Sequence, residues 1–373
     1  MKEERKRILK LVEEGKLTVD EALSLLENLE KASQTAEQKE AEIVKELSTA
    51  VKFEEAQKEE TVHQKFLSTK EKIFEFVDTT LKKIKDFDLD LNFGHSIEIS
   101  HIFFQADADF RDIDIDVANG AIQLVPWEQK DVRIECKAKV YRVENQDQAR
   151  QNFLKDTTFA VDGGKLKFST QLKWMKVEAV AYIPHVQYEK IRLRMFNGPI
   201  SGSQLEANHF RIKTANGKID FSRINGKRIE AETANGHIKI VNSSVEDIEA
   251  ETINGAIKLD GDFHRVETQS FNGNLAINLT GSRCDSLKAQ ATTGSIDFYL
   301  PENRLVSGEI RSSLGGYEVL LDGIQILEEK NDVIQKLLRF RSVLTDDTTL
   351  NLFAETKTGT VTVRKSTAVH PFK

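Results

Sequence analysis

Three hydrophobic patterns follow one another along the chain, and each predicts a different kind of element. In the first, Ile8, Leu9 and Val12 form an apolar stripe at helical spacing, and Gly15 ends it. Ala22, Leu25, Leu26 and Leu29 form a second stripe, preceded by the capping-box pair Thr18 and Glu21. Residues 1–31 are therefore expected to fold as a helical hairpin. Two helices this short bury little surface alone, so Leu25, Leu26 and Leu29 are candidates for docking or for homo-oligomerisation.

The second pattern covers residues 32–85. It opens with a run rich in Glu, Lys, Gln and Ala whose apolar content is too thin for a core, which reads as a solvated helix or a linker. Then Phe66, Leu67, Ile73, Phe74, Val77, Leu81 and Ile84 fall on one helical face. Between Gln64 and Lys85, lysines 65, 70, 72, 82, 83 and 85 oppose Glu71, Glu75 and Asp78, which leaves +3. Such a face can lie on an anionic membrane surface, and it also suits capping the following domain or pairing as a coiled coil. Phe66, Ile73, Phe74, Val77, Leu81, Lys82 and Lys83 are the candidate contact residues in either case.

From residue 86 to the end the period changes to two. Ile229, Ala231 and Thr233 recur as Ile248, Ala250 and Thr252, then as Val266, Thr268 and Ser270, with polar residues between them. Behind each set comes Asn-Gly, at Asn197, Asn216, Asn235, Asn254 and Asn272, at intervals of 19, 19, 19 and 18 residues. After it Ile219 and Phe221, Ile238 and Ile240, and Ile257 and Leu259 alternate in the same way. Asn-Gly between strands ordinarily marks a hairpin. Recurrence of residue types at a fixed period instead predicts that equivalent positions stack, as in a β-solenoid of two-strand rungs spaced about 4.8 Å apart. Asn119-Gly120 reads as an early copy, and Thr293-Gly294 and Thr358-Gly359 as late ones. The corner asparagines would form an amide ladder or supply a left-handed corner conformation, both structural roles. Sheet ends need covers. The helix around residues 66–85 and the helical-looking stretch 323–340 are the candidates, the latter also as a lateral insertion.

The expected fold is therefore mainly β: a β-solenoid over 86–373 with a helical insertion near 323–340, preceded by a helical hairpin and a charged linker. A length of 373 residues fits such an elongated or multi-unit chain. A net charge of −7 gives no basic footprint for nucleic acid. Cys136 and Cys284 lie far apart without a metal-binding spacing, and the basic start of the chain lacks the apolar run of a signal peptide. A cytoplasmic setting is expected, with any membrane contact peripheral.

Candidate chemistry is sparse. The runs containing Asp86, Asp88 and Asp90, and Asp107, Asp109, Asp112, Asp114 and Asp116, alternate with apolar residues and read as the solvated face of early strands. Calcium is the alternative, but the spacing of a calcium loop is missing. His209, His237 and His264 are scattered, with His237 and His264 expected on outer faces. Phosphate-binding, dinucleotide-binding and nucleophile-elbow patterns do not occur. No catalytic residue, metal or cofactor is expected, and the chain reads as a non-enzyme.

The stretch from Ile8 to Lys31, the charged linker and the repeated "TANGKIDF", "TANGHIKI" and "TINGAIKL" units together resemble the YvlB/LiaX family of Gram-positive bacteria. The resemblance spans nearly the whole chain. It implies an adhesin-like repeat domain and a non-enzymatic role in the cell-envelope stress response, including resistance to membrane-active antimicrobial peptides. It also implies membrane proteins of phage-shock type as partners, and no catalytic residues. The rival is a carbohydrate-active or carbohydrate-binding solenoid. Three or more carboxylates clustered beside a groove would favour the rival, and an evenly mixed Lys/Glu face would favour a scaffold.

Overall fold

The computed structural model describes residues 96–172, 174–332, 335–343 and 349–366, together with Lys10, Leu23 and Leu26. Those three are helical, with Lys10 and Leu23 exposed and Leu26 half-buried. Leu25, Leu29 and the candidate contact residues from Phe66 to Lys83 lie outside the described residues.

The remainder is built almost wholly of strands. β1 (Ser96–Gln105), β2 (Asp112–Trp127) and β3 (Val132–Tyr141) lead to the helix α1 (Gln146–Lys155), followed by β4 (Thr157–Asp162), β5 (Lys165–Thr170) and β6 (Met175–Pro184). The repeat proper follows: β7 (Gln187–Asn197) with β8 (Ile200–Ser203), β9 (Glu206–Asn216) with β10 (Ile219–Ser222), and β11 (Asn225–Asn235). β12 (Ile238–Asn254) and β13 (Ile257–Asn272) each run through a corner and serve two rungs. β14 (Leu275–Leu279), β15 (Ser286–Thr293) and β16 (Ile296–Leu300) complete this series.

Within it every pairing is parallel and in repeat register: Ile229 pairs with Ile248 and Phe210, Ile248 with Val266, and Val266 with Leu287. The rows so formed fill the interior, and these side chains are at most 2% exposed. On the second sheet Phe221, Ile240, Leu259, Ile277 and Phe298 make the matching row, also fully buried. Alternation along each strand thus sends one set of side chains inward and leaves the polar set outside, as the period of two requires.

Chain order and spatial order part company at both ends. The first half of β2 lies between β5 and β7, and its second half between β6 and β8, so the rung after β2 in sequence sits outside it. β3 and then β1 close that end of the second sheet antiparallel, and β4 closes the first against β5. Phe153 of α1 plugs the opening, with ring centroids 6.0 Å from Phe103, which itself lies 5.8 Å from Phe168.

At the other end β17 (Val306–Ser312) and β18 (Gly316–Leu320) form the outermost rung. β19 (Ile324–Asn331) and β20 (Lys336–Ser342) follow, and the chain then returns as β21 (Leu350–Thr356) and β22 (Thr360–Lys365). This last rung inserts between its predecessors, β21 between β15 and β17 and β22 between β16 and β18.

The helical insertion expected near 323–340 is corrected: β19 and β20 are an antiparallel hairpin, and β20 pairs along β17. The segment's apolar residues fit both periods, and the unpaired edge of β17 decides between them by offering a ladder of backbone partners. Leu338 and Phe340 then alternate inward, 4% and 1% exposed, with the Phe340 ring lying over Gly308.

Candidate functional site

The repeated Thr-x-Asn-Gly has a separate task for each residue. A Cβ on Gly236 would lie 1.9 Å from the carbonyl oxygen of Gly217, and one on Gly217 would lie 1.9 Å from that of Gly198, so only glycine lets successive corners nest. The threonine hydroxyl donates to the glycine carbonyl of the preceding corner, Thr233 to Gly217 at 3.0 Å and Thr252 to Gly236 at 3.0 Å. The asparagines form the amide ladder. Each Nδ2 donates to the Oδ1 of the preceding copy, from Asn197 onto Asn119, then Asn216, Asn235, Asn254 and Asn272, at 2.8–2.9 Å throughout. The Thr293 hydroxyl continues it onto Asn272 at 2.6 Å. None of these asparagines has a positive φ, so the left-handed alternative is set aside.

On the outer face of the first sheet, stacked positions form columns of charge. Lys213 meets Glu232 at 2.9 Å, Arg228 meets Glu249 at 3.3 Å, and Lys288 meets Glu267 at 2.6 Å, each across a rung boundary. Acid is in surplus over β11 to β13, where Glu230, Glu249, Glu251 and Glu267 adjoin. Burial and then the neighbouring carboxylates, Glu251 foremost, raise the Glu249 carboxyl above its ordinary range despite Arg228.

Asp114 and Asp116 correct a reading from sequence. They are 5% and 8% exposed, not solvated, because β2 is flanked on both sides. Arg192 Nε donates to Asp114 Oδ1 at 2.9 Å and its second nitrogen to Oδ2, Lys165 stands 3.2 Å from the same carboxylate, and Arg194 reaches Asp116 at 2.6 Å. Burial pushes the Asp114 carboxyl upward, but Arg192 and Lys165 together outweigh it and hold it low. At Asp116 burial outweighs Arg194 and Gln171, and the carboxyl is held high.

Between these columns and the amide ladder runs an apolar strip, one residue per rung: Phe196, Ala215, Ala234, Ile253 and Phe271. The strip points outward, since its members alternate with the inward Thr214, Thr233 and Thr252. Ala215 and Ala234 are nonetheless 0% exposed and Ile253 6%. Among the described residues, the hydrophobics packed against its three buried members are its own ends, Phe196 and Phe271.

The histidines stay apart: His237 is exposed, and His264 is half-buried with Nε2 3.3 Å from Asp285. Among the described residues no group of three or more His, Cys, Asp or Glu side chains is placed to hold a metal ion. Burial pushes the thiols of Cys136 and Cys284 up to about 12, so neither is a thiolate near neutral pH. No helix among the described residues is long and apolar enough to cross a membrane. The charge columns and the strip were missed from sequence, although the alignment that exposed the inward rows contains them at the intervening positions.

A family model described as Toastrack DUF4097 matches residues 110–336, and one described as a SHOCT-like domain matches residues 3–34. The chain is 48% identical over 371 residues to the uncharacterized protein YvlB of Bacillus subtilis (strain 168), covering 98% of this chain and 100% of that one. Among solved structures it is similar to a protein proposed as an adhesin from Bacteroides fragilis NCTC 9343, with a TM-score of 0.37 at 14% identity. That match covers 72% of this chain and 97% of the other. A protein proposed to bind lipid from Parabacteroides distasonis ATCC 8503 gives a TM-score of 0.31 at 11% identity, with 72% and 97% covered.

Proposed function

We propose, from the premise that this chain belongs to the Toastrack DUF4097 family and is a homologue of YvlB, that it is a non-enzymatic binding scaffold in the bacterial response to cell-envelope stress. The observation that carries the scaffold is the pairing of outer-face charges from rung to rung. Charges held in this way fix the register of the stack and present a long, evenly spaced polar surface. Such a surface suits recognition spread over many weak contacts rather than chemistry concentrated at one point. The stress-response setting rests on the resemblance of the hairpin and the Asn-Gly units. It makes a membrane protein of phage-shock type the expected partner, with the N-terminal hairpin docking or self-associating and peripheral contact with anionic lipid as an adjunct.

The acid surplus over β11 to β13 is what a carbohydrate-active rival would use, and one experiment separates the two. A B. subtilis strain lacking YvlB is challenged with a membrane-active peptide and complemented with this chain or with its E230Q, E249Q, E251Q and E267Q variants. A scaffold keeps most protection through each single substitution and loses it stepwise as they are combined. Collapse of protection with one carboxylate-to-amide change, at equal protein level, would overturn the scaffold in favour of an enzyme. Failure of the unmodified chain to protect would overturn the stress-response setting.

A further inference from the structure

The outward strip formed by Phe196, Ala215, Ala234, Ile253 and Phe271 poses a physical question. Side chains on the outer face of a sheet are ordinarily wetted, and alanines between neighbouring strands are too short to shield one another. Yet Ala215 and Ala234 expose none of their surface, and Lys213 in the adjoining column exposes only 4%. A cover is required, and among the described residues the hydrophobics that pack there are the strip's own phenylalanines.

We propose that the strip is the docking site of the chain's own residues 66–84. The apolar face of that segment would lie along the solenoid axis, with its lysines turned toward the acidic side. Three independent measures agree. The first is spacing. Four rung steps of about 4.8 Å make the strip about 19 Å long, and a helix from Ile73 to Ile84 is about 17 Å long at 1.5 Å per residue. Its turns repeat about every 5.4 Å, so Ile73, Val77, Leu81 and Ile84 meet successive rungs almost in step.

The second measure is charge. Residues 66–84 carry lysines 70, 72, 82 and 83 against Glu71, Glu75 and Asp78, a net of +1, and the columns bordering the strip hold the carboxylates of Glu232, Glu249 and Glu251. Burial and then the neighbouring carboxylates raise the Glu249 carboxyl, and lysines facing it offset the second of these.

The third is reach. β1 begins at Ser96, and β3, β6 and β2 separate it from the rung of β8 and β7, an axial distance of about 19 Å. The eleven residues 85–95 extend to about 36 Å, enough to cross that distance and pass to the other sheet. The site is intramolecular and stands apart from the stress-response reading. It also makes membrane contact and docking compete for one apolar face.

Hydrogen exchange on the full chain tests this. Amides of residues 66–84 should exchange at least about tenfold more slowly in the unmodified protein than in an A215R/A234R variant, in which outward arginines block the strip and repel the lysines. An F74E/L81E variant should release the segment while leaving the exchange of β7 to β13 unchanged, which keeps the test readable if the arginine variant fails to fold. Equal exchange of the segment in all three proteins overturns the proposal. Protection that grows with protein concentration assigns the strip to a second copy, and protection seen only with phosphatidylglycerol vesicles assigns the segment to lipid. Either result also overturns it.

Discussion

A methyl group on Gly236 would lie 1.9 Å from the carbonyl oxygen of Gly217 and 2.5 Å from its carbon, and neither backbone atom can rotate aside. The same approach recurs down the glycine stack through Gly255, Gly273, Gly294 and Gly359 to Gly315. A substitution there forces two rungs apart and with them the amide bonds of Asn216, Asn235 and Asn254. Gly236→Ala is therefore expected to cost at least about 3 kcal/mol, the range reserved for steric conflict in a packed interior. Gly164→Ala is the control, since nothing lies within 4 Å of its added carbon and only the positive φ of 74° opposes it, at about 1 kcal/mol. Urea unfolding of the two variants measures the difference. Equal losses would show that the corner stack yields.

At the scale of strands, burial of Glu249 within the acid surplus on β11 to β13 makes stability depend on pH. The folded Glu249 carboxyl titrates above its ordinary 4.5, so the native state holds the proton more tightly than the unfolded chain. Its charge thus destabilises the fold above the folded pKa, and that cost fades as pH falls toward 4.5. Glu249→Gln is expected to stabilise the protein near pH 7 by less than about 1 kcal/mol, the exposed Arg228 contact at 3.3 Å offsetting little. The gain should vanish below pH 4.5, as thermal melts of the two proteins across that range would show. A gain independent of pH would rule out the charge as its cause.

The same strands show what a single sequence displays. Inward rows such as Ile229, Ile248 and Val266 are legible because burial enforces residue type at a period of two. The columns are harder to read because Glu, Lys and Arg are all allowed outside, and only rung pairing gives their order meaning. Asp114 and Asp116 looked solvated because nothing local announces that strands will flank β2 on both sides. For β19 and β20 the deciding partner, β17, lies outside the segment's own pattern.

The whole molecule departs from a simple stack at its ends. In a sequential solenoid each rung contacts only its neighbours, so the terminal repeat frays first. Here the rung nearest the described C-terminal end, β21 with β22, is held on both sides, by β15 and β16 and by β17 and β18. The outermost rung is instead mid-chain, with β18 paired, among the described residues, to β22 alone. β2 stands in the same relation to β5 and β6 at the other end. Opening the end built by β17 to β22 therefore cannot begin with withdrawal of β21 and β22, because that breaks two ladders at once. Native-state hydrogen exchange should show this as an inversion along the chain, with amides of β22 exchanging at least about tenfold more slowly than those of β18 despite lying closer to the terminus. Protection that instead declines steadily from β15 to β22 would mean the inserted rung is no anchor, and that the molecule frays as an ordinary stack does.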